Sequence, residues 1–279
     1  MPEWLKGELS KSSIWVTRSG VRIPLPPPNC NMTKISSKTN IDELYKEIHD
    51  NLIRYKNEEG IKLDKRYHKY DGYESWGLST TVFASVIKKY KKVIQSLSCN
   101  DVLKLSKMLY KTKINEPIFA GTFVLENRLD CMNEKWLSFF DEVLEYFISW
   151  STIDDFCIDV LQHILLKYPK ETLHFVKKWN QSKNMWKRRA SVVVFVRKIG
   201  ESGKFTDEAL TLCENLIWDQ EDMVQKGVGW CLKDIMRGDK EKVLNYVKQL
   251  RKRGVSSTIT LYSIRDLKGR ERSEILAIR

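Results

Sequence analysis

A helix-sized apolar rhythm restarts along this chain at a nearly constant interval, and few folds tolerate that spacing. Capping residues and the return of helical periodicity place helix starts near Ser79, Asn115, Thr152, Asn184, Glu221 and Ser257, about 32–37 residues apart. A second set starts near Asn100, Glu134, Lys170, Thr206 and Asp239, stepping by about 33–36 residues. A helix pair recurring at that interval cannot bury its apolar face alone, so successive pairs stack into an α-solenoid with one long concave surface. Ile41, Leu44, Tyr45, Ile48, Leu52 and Tyr55 define a first helix behind a cap at Thr39 or Asn40. Residues 60–78 read as a polar, tyrosine-rich connection, and no segment alternates convincingly as a strand. An irregular helical bundle is the plainer alternative.

Composition narrows the partners. The 279 residues are 42% hydrophobic, enough for a sizeable core, and carry a formal net charge of +12 with a pI near 9.3. That charge suits nucleic acid first and an acidic membrane surface second. No run of about eighteen apolar residues is present, so no membrane span is expected. The cysteines Cys30, Cys99, Cys131, Cys157, Cys213 and Cys231 are scattered without a C-x-x-C pair. This argues against a zinc site or a disulfide framework, and for a reducing, cytoplasmic setting. His49, His68, His163 and His174 also lack metal-ligand spacing, so no metal is expected. The opening "MPEWLKGELSKSSIWVTRSGVRIPLPPPN" has no secretory apolar stretch, and its "GVRIPLPPP" back-translates into the T-loop and CCA end of a tRNA gene. Residues 1–31 are therefore read as a disordered or non-native extension, with the native start near Met32 and residues 32–279 forming one repeat domain.

Three clusters fall about one repeat apart and so occupy equivalent faces. They are Trp150 with Asp154 in "ISWSTIDDFC", Trp186 with Arg188 and Arg189 in "NMWKRRASVVV", and Gln225, Lys226 and Trp230 in "VQKGVGW". Trp150 and Asp154 are four apart, as are Lys226 and Trp230, so each pair shares a helix face. Aromatic, cationic and one anionic side chain are thus expected in one groove. Blander readings exist for each. Tryptophans are commonly core residues, Asp154 follows Ser151 in a capping-box pattern, and Lys187, Arg188 and Arg189 suit a solvated face. Gly227 is expected to leave the flank of the Trp230 indole open, and Gly229 to serve close helix packing. Cys157 and His163, six apart on one helix, do not face each other as a dyad.

On "SWSTIDD", "NMWKRRASVVV" and "VQKGVGWCL", the chain resembles the AlkD-type bacterial DNA alkylation-repair glycosylases, built from HEAT-like repeats, over roughly residues 40–268. The resemblance implies an α-solenoid with a concave basic groove and excision of positively charged N3- and N7-alkylated purines from duplex DNA. Trp150, Asp154 and Trp230 match the family's catalytic positions, and Arg189 its DNA-contacting arginine. Tyr67 in "KRYHKY" matches a groove tyrosine if one residue is inserted. Ser151 stands where the family often has an acid, and Gly227 where it often has alanine. What the resemblance implies further is a monomer that contacts the lesion without enclosing its base, needs no cofactor and works at the nucleoid.

Arg188, Arg189 and Lys226 are the expected phosphate contacts, supported by Gln225 and Trp186. Lys187, Arg237, Arg251, Lys252, Arg253, Arg265 and Arg270 are weaker candidates. Two other functions stay open: a non-catalytic repeat protein binding damaged or branched DNA, and a protein-scaffolding solenoid binding acidic peptides.

Overall fold

The computed structural model describes residues 40–278, so the expectation for residues 1–31 lies outside the described residues. Every regular element among those residues is helical. The chain divides into two compact units, one ending at Cys131 and one beginning at Met132.

The first unit holds α1 (Ile41–Ile53), α2 (Glu58–Tyr67), α3 (Thr80–Ile87), α4 (Lys91–Ser96), α5 (Cys99–Lys111) and α6 (Asn115–Glu126). Helix α1 starts where Asn40 accepts the Asp42 N–H at 3.0 Å, and it buries Ile41, Leu44, Ile48 and Leu52 along one face. Helix α2 corrects the sequence reading, which has a connection from residue 60. It buries only Gly60 and Asp64, so no apolar stripe announces it. Its place is set by Asn57, which caps the Gly60 N–H at 2.7 Å, and by contact with the chain at Gly77. A Cβ on Gly60 would lie 2.0 Å from the Gly77 carbonyl oxygen. The Glu116 carboxylate, buried in α6, accepts the N–H groups of Trp76 at 2.8 Å and Leu78 at 3.0 Å and so fixes the strap before α3. Burial pushes the Glu116 carboxyl up, against the pull of those donors.

This unit also overturns the expectation of unpaired cysteines. Cys99 and Cys131, 32 residues apart, form a disulfide across a Cα–Cα distance of 5.4 Å. The packing of α5 on α6 brings them together, and no local spacing motif marks such a pair.

The second unit holds α7 (Trp136–Val143), α8 (Trp150–Phe156), α9 (Gln162–Lys167), α10 (Pro169–Asn180), α11 (Met185–Val193), α12 (Lys198–Glu201), α13 (Thr206–Glu214), α14 (Asp222–Gly238), α15 (Lys240–Lys252), α16 (Ser257–Ser263) and α17 (Gly269–Leu276). Observed starts lie within about two residues of those expected. Helices α8, α11, α14 and α16 pack each on the next, one from each successive pair, which is consistent with an α-solenoid of helical repeats. Phe140, Phe156, Trp179 and Phe195 are fully buried in its core. Gly229 of α14 permits the approach of α16, since a Cβ there would meet Tyr262 Cβ at 2.7 Å and the Ile259 carbonyl oxygen at 3.0 Å. That is the close packing expected of it.

Candidate functional site

The site begins with how α8 starts. Ser149 caps the helix by accepting the Thr152 N–H at 3.2 Å, which replaces the expected Ser151 capping box. Trp150 becomes the first helical residue, half-buried, and Asp154 falls one turn further on, below it on the same face. Asp154 is therefore released from any capping role. Past Phe156 the helix passes through one π turn, Cys157–Leu161, before continuing as α9. Such turns re-aim side chains and are frequent at functional sites.

Asp154 is only 1% exposed, and its charge is met by an arginine from the neighbouring helix. Arg189 of α11, itself 4% exposed, donates Nε to Oδ1 at 2.8 Å and Nη2 to Oδ2 at 2.7 Å. This bidentate pair matches the planar fork to the carboxylate. The third donor, Nη1, reaches the Met223 carbonyl at the start of α14, so Arg189 ties α8 to α14 through α11. Burial raises the Asp154 carboxyl against the pull of Arg189. Burial alone would lower the Arg189 guanidinium, but the Asp154 carboxylate outweighs it and holds the arginine protonated.

Gly227 serves this pair, which corrects the expectation that it opens the flank of Trp230. A Cβ at Gly227 would lie 3.3 Å from Arg189 Cγ and 3.4 Å from its Nη1. The missing side chain makes room for the arginine as it crosses α14.

About two turns further along the same row lies a second set of charges. Arg197 follows α11 in a left-handed backbone conformation, φ 56°, which costs a non-glycine residue on the order of 1–3 kcal/mol. Asp234 of α14, buried, accepts the Arg197 N–H at 2.7 Å and holds that conformation. Gln162 grips the preceding chain, donating to the Val194 and Val196 carbonyls at 3.1 and 3.0 Å. The Arg197 guanidinium then sits 5.9 Å from the centre of the half-buried Trp230 ring. Its positive charge acts on both Asp154 and Asp159. Asp159, on the π turn, is pushed up to about 6 by burial, against a hydrogen bond from Asp155 and the charge of Arg197.

The structure thus pairs Asp154 with Arg189 and places Arg197 over Trp230, with Trp150 one turn from Asp154. It treats the other expected residues differently. Trp186 is buried, so it packs inside the unit instead of lining an open groove. Arg188 is engaged: it donates Nε and Nη2 to Asp219 at 2.6 and 3.2 Å and Nη1 to the Ser182 and Lys183 carbonyls, both at 2.9 Å. Gln225 donates to the Asp219 carbonyl at 2.7 Å. Lys187 is buried between Asp141 at 3.1 Å and Glu145 at 2.6 Å, so it is no solvated cation. Lys226 is half-buried and pairs with Asp222 at 2.6 Å. Among the weaker candidates, Arg237 pairs with Glu201 and Asp266, and Arg253 with Glu214. Tyr67 ends α2 in the first unit and is 66% exposed.

Sequence reasoning missed Arg197, Asp159 and Asp234. A signal existed for two of them. Arg197 follows the apolar run "ASVVVFV" and Asp159 interrupts "FCIDVLQ", and a charge inside such a run demands a buried partner.

Comparison with known proteins follows the same direction. The family model for DNA alkylation repair enzymes matches residues 48–267. No curated protein matches the chain. A solved structure of a predicted DNA alkylation repair enzyme from Enterococcus faecalis is similar at 15% identity with a TM-score of 0.63, covering 76% of this chain and 96% of that one. At that identity the likeness shows the fold alone. The family match spans most of the sequence, and the chain belongs to the DNA alkylation repair enzyme family.

Proposed function

We propose that this protein is a DNA glycosylase that hydrolyses the N-glycosidic bond of N3- and N7-alkylated purines in duplex DNA. The observation that carries this reading is the Asp154–Arg189 pair, one turn below Trp150 and braced against the helix of Trp230. An N3- or N7-alkylated purine is already a cationic leaving group, so the reaction needs no general acid. It needs stabilisation of positive charge, on the base before bond breakage and on the sugar during it. An indole face attracts a cation by about 0.5–2 kcal/mol, more where water is excluded, which suits Trp150 and Trp230. A carboxylate beside the sugar stabilises the oxocarbenium and orients the attacking water, which suits Asp154. One carboxylate suffices because the leaving group brings its own charge, unlike ordinary glycosidases.

Arg189 sets the order of events. While it holds Asp154, the carboxylate is neutralised. A DNA phosphate offers the same guanidinium a comparable pair of anionic oxygens for bidentate hydrogen bonds. When the phosphate takes Arg189, the best remaining partner for Asp154 is the cation forming on the sugar. Arg197 and Lys226 supply further phosphate contacts, which make binding salt-dependent and indifferent to sequence.

The test is release of 7-methylguanine or 3-methyladenine from a methylated duplex, with duplex affinity measured in parallel. Wild type should release base. Asp154→Asn should lose at least about 100-fold in rate, the scale for removing one preorganised charge-stabilising group, while still binding duplex. No release by wild type from any alkylated duplex refutes the reading. The near-complete burial of Asp154 favours a second one: a non-catalytic repeat protein binding damaged or branched DNA. It predicts binding without release and an Asp154→Asn variant that differs in stability alone.

A further inference from the structure

The loop between α13 and α14 holds a large aromatic in water by construction. Trp218 is 56% exposed, the one exposed tryptophan among the described residues. Its neighbours are not loose. Leu216 and Ile217 are buried just before it, and the Asp219 side chain just after it is buried in the clamp of Arg188. Asp219 Oδ1 also accepts the Glu221 N–H at 2.9 Å, the Asp219 carbonyl accepts from Gln225, and the Trp218 carbonyl accepts from Gln220 Nε2 at 2.9 Å. The backbone on both sides is thus fixed while the indole projects outward. A loop braced this firmly has no need of a solvated tryptophan for its own stability, because the apolar surface left in water contributes nothing to folding.

Its position matters. Asn184, the cap of α11, donates to Glu145 beside the start of α8 at 2.9 Å, and Arg188 joins the α10–α11 loop to Asp219 beside the start of α14. The starts of α8, α11 and α14 therefore form one edge. That edge carries Trp150 on α8, the exposed Lys183 before α11, Trp218 before α14 and Lys226 one turn into α14. Aromatic and cationic side chains interleaved along one edge are what a nucleic-acid backbone and its sugar and base faces require.

We infer that Trp218 is a DNA-contacting residue: its indole packs against a sugar or base face of the duplex beside the lesion, with Lys183 and Lys226 on the flanking phosphates. Arg188, Asp219 and Gln225 act as positioning residues for it. This rests on the reading that the protein binds duplex DNA, and the experiment separates the two.

Full-length wild type, Trp218→Ala and Trp218→Phe are titrated against an undamaged duplex by anisotropy of a labelled strand. Acrylamide quenching of tryptophan fluorescence is measured with and without duplex, and melting temperature confirms folding. Trp218→Ala should weaken binding by about fivefold to a hundredfold, the range for aromatic contacts to nucleotides, and Trp218→Phe should restore most of it. Duplex should shield wild type from acrylamide, and Trp218→Ala should lose the share of that shielding that Trp218 contributes as the most exposed indole among the described residues. Wild-type binding with unchanged affinity in Trp218→Ala, and duplex shielding equal in the two proteins, overturns the Trp218 assignment and leaves the DNA reading standing. Wild type that binds no duplex at any salt overturns both. A Trp218→Ala variant that binds duplex normally but changes from oligomer to monomer also overturns the assignment, in favour of a contact between copies of the chain.

Discussion

Arg188 and Arg189 are neighbours on α11, and each grips an aspartate with two nitrogens, yet they belong to different parts of the molecule. Arg188 reaches Asp219, and its remaining nitrogen is satisfied by the Ser182 and Lys183 carbonyls. Asp219 in turn accepts from the Glu221 backbone, so the cluster is a closed brace for a loop. Arg189 points about 100° away round the helix, into the row formed by α8, α11 and α14, where its partner is the candidate catalytic carboxylate. The same residue type in the same local bond is a staple in one case and, on the proposed function, a releasable clamp in the other. What differs is the setting: whether a competing anion has reason to arrive.

The contrast breaks most sharply under truncation. Arg189→Met leaves Asp154 charged and buried without its partner, so it should cost about 3–5 kcal/mol in urea unfolding. Arg188→Met acts on a pair nearer the surface and should cost no more than about 2 kcal/mol while loosening the loop of Trp218. Equal losses from the two would erase the distinction. Arg189→Lys keeps the charge but not the fork, and should reduce base release by about tenfold or more. Arg188→Lys should leave the release rate on saturating duplex within about threefold.

A pH series sharpens the picture on the α8 side. Asp159 is raised to about 6 in the folded protein, above an ordinary aspartate, so the native state binds the proton more tightly than the unfolded one. The stabilisation it contributes is full at acid pH and is lost as pH rises from about 4 through about 6. Asp159→Asn should flatten that slope and gain on the order of 1–3 kcal/mol at pH 7 relative to wild type, read as unfolding midpoints at pH 5 and 7. A wild-type slope of opposite sign over that window would contradict the assignment.

Gly227 and Gly229, two of the three glycines of α14, test the packing of that helix on its neighbours. At Gly229 an added Cβ strikes α16 at 2.7 Å, including backbone at 3.0 Å, so Gly229→Ala should cost about 1–3 kcal/mol. At Gly227 the added Cβ meets only side-chain atoms at 3.3 Å and beyond, and helix propensity gains about 1 kcal/mol. Gly227→Ala should therefore change stability by less than about 1 kcal/mol and act mainly on duplex affinity through Arg189. A large stability loss at Gly227 with none at Gly229 would reverse the packing argument.

How much of this was legible beforehand varies with the kind of interaction. Helix starts at Asn115, Thr206 and Ser257 were readable because apolar periodicity and, at Ser257, a capping serine act within a few residues. Helix α2 was not, because its place depends on Gly77 passing against Gly60 and not on a stripe of its own. Trp150 and Asp154 on one face followed from spacing alone. That Ser149 rather than Ser151 caps the helix, and that Asp154 is sealed under Arg189, did not. The Cys99–Cys131 bond was missed because sequence distance carries no information about two residues that a helix hairpin brings together.

By itself the sequence determined an all-helical chain of recurring helix pairs and its aromatic, acidic and basic clusters, since periodicity and charge are properties of short stretches. Only the tertiary structure decided which arginine meets Asp154, which cations are already engaged, that Arg197 lies over Trp230 and that Trp218 is left in water. The reason is physical: a charge or an aromatic ring takes its role from what lies within a few ångströms of it, and here those neighbours come from helices about 35 residues away.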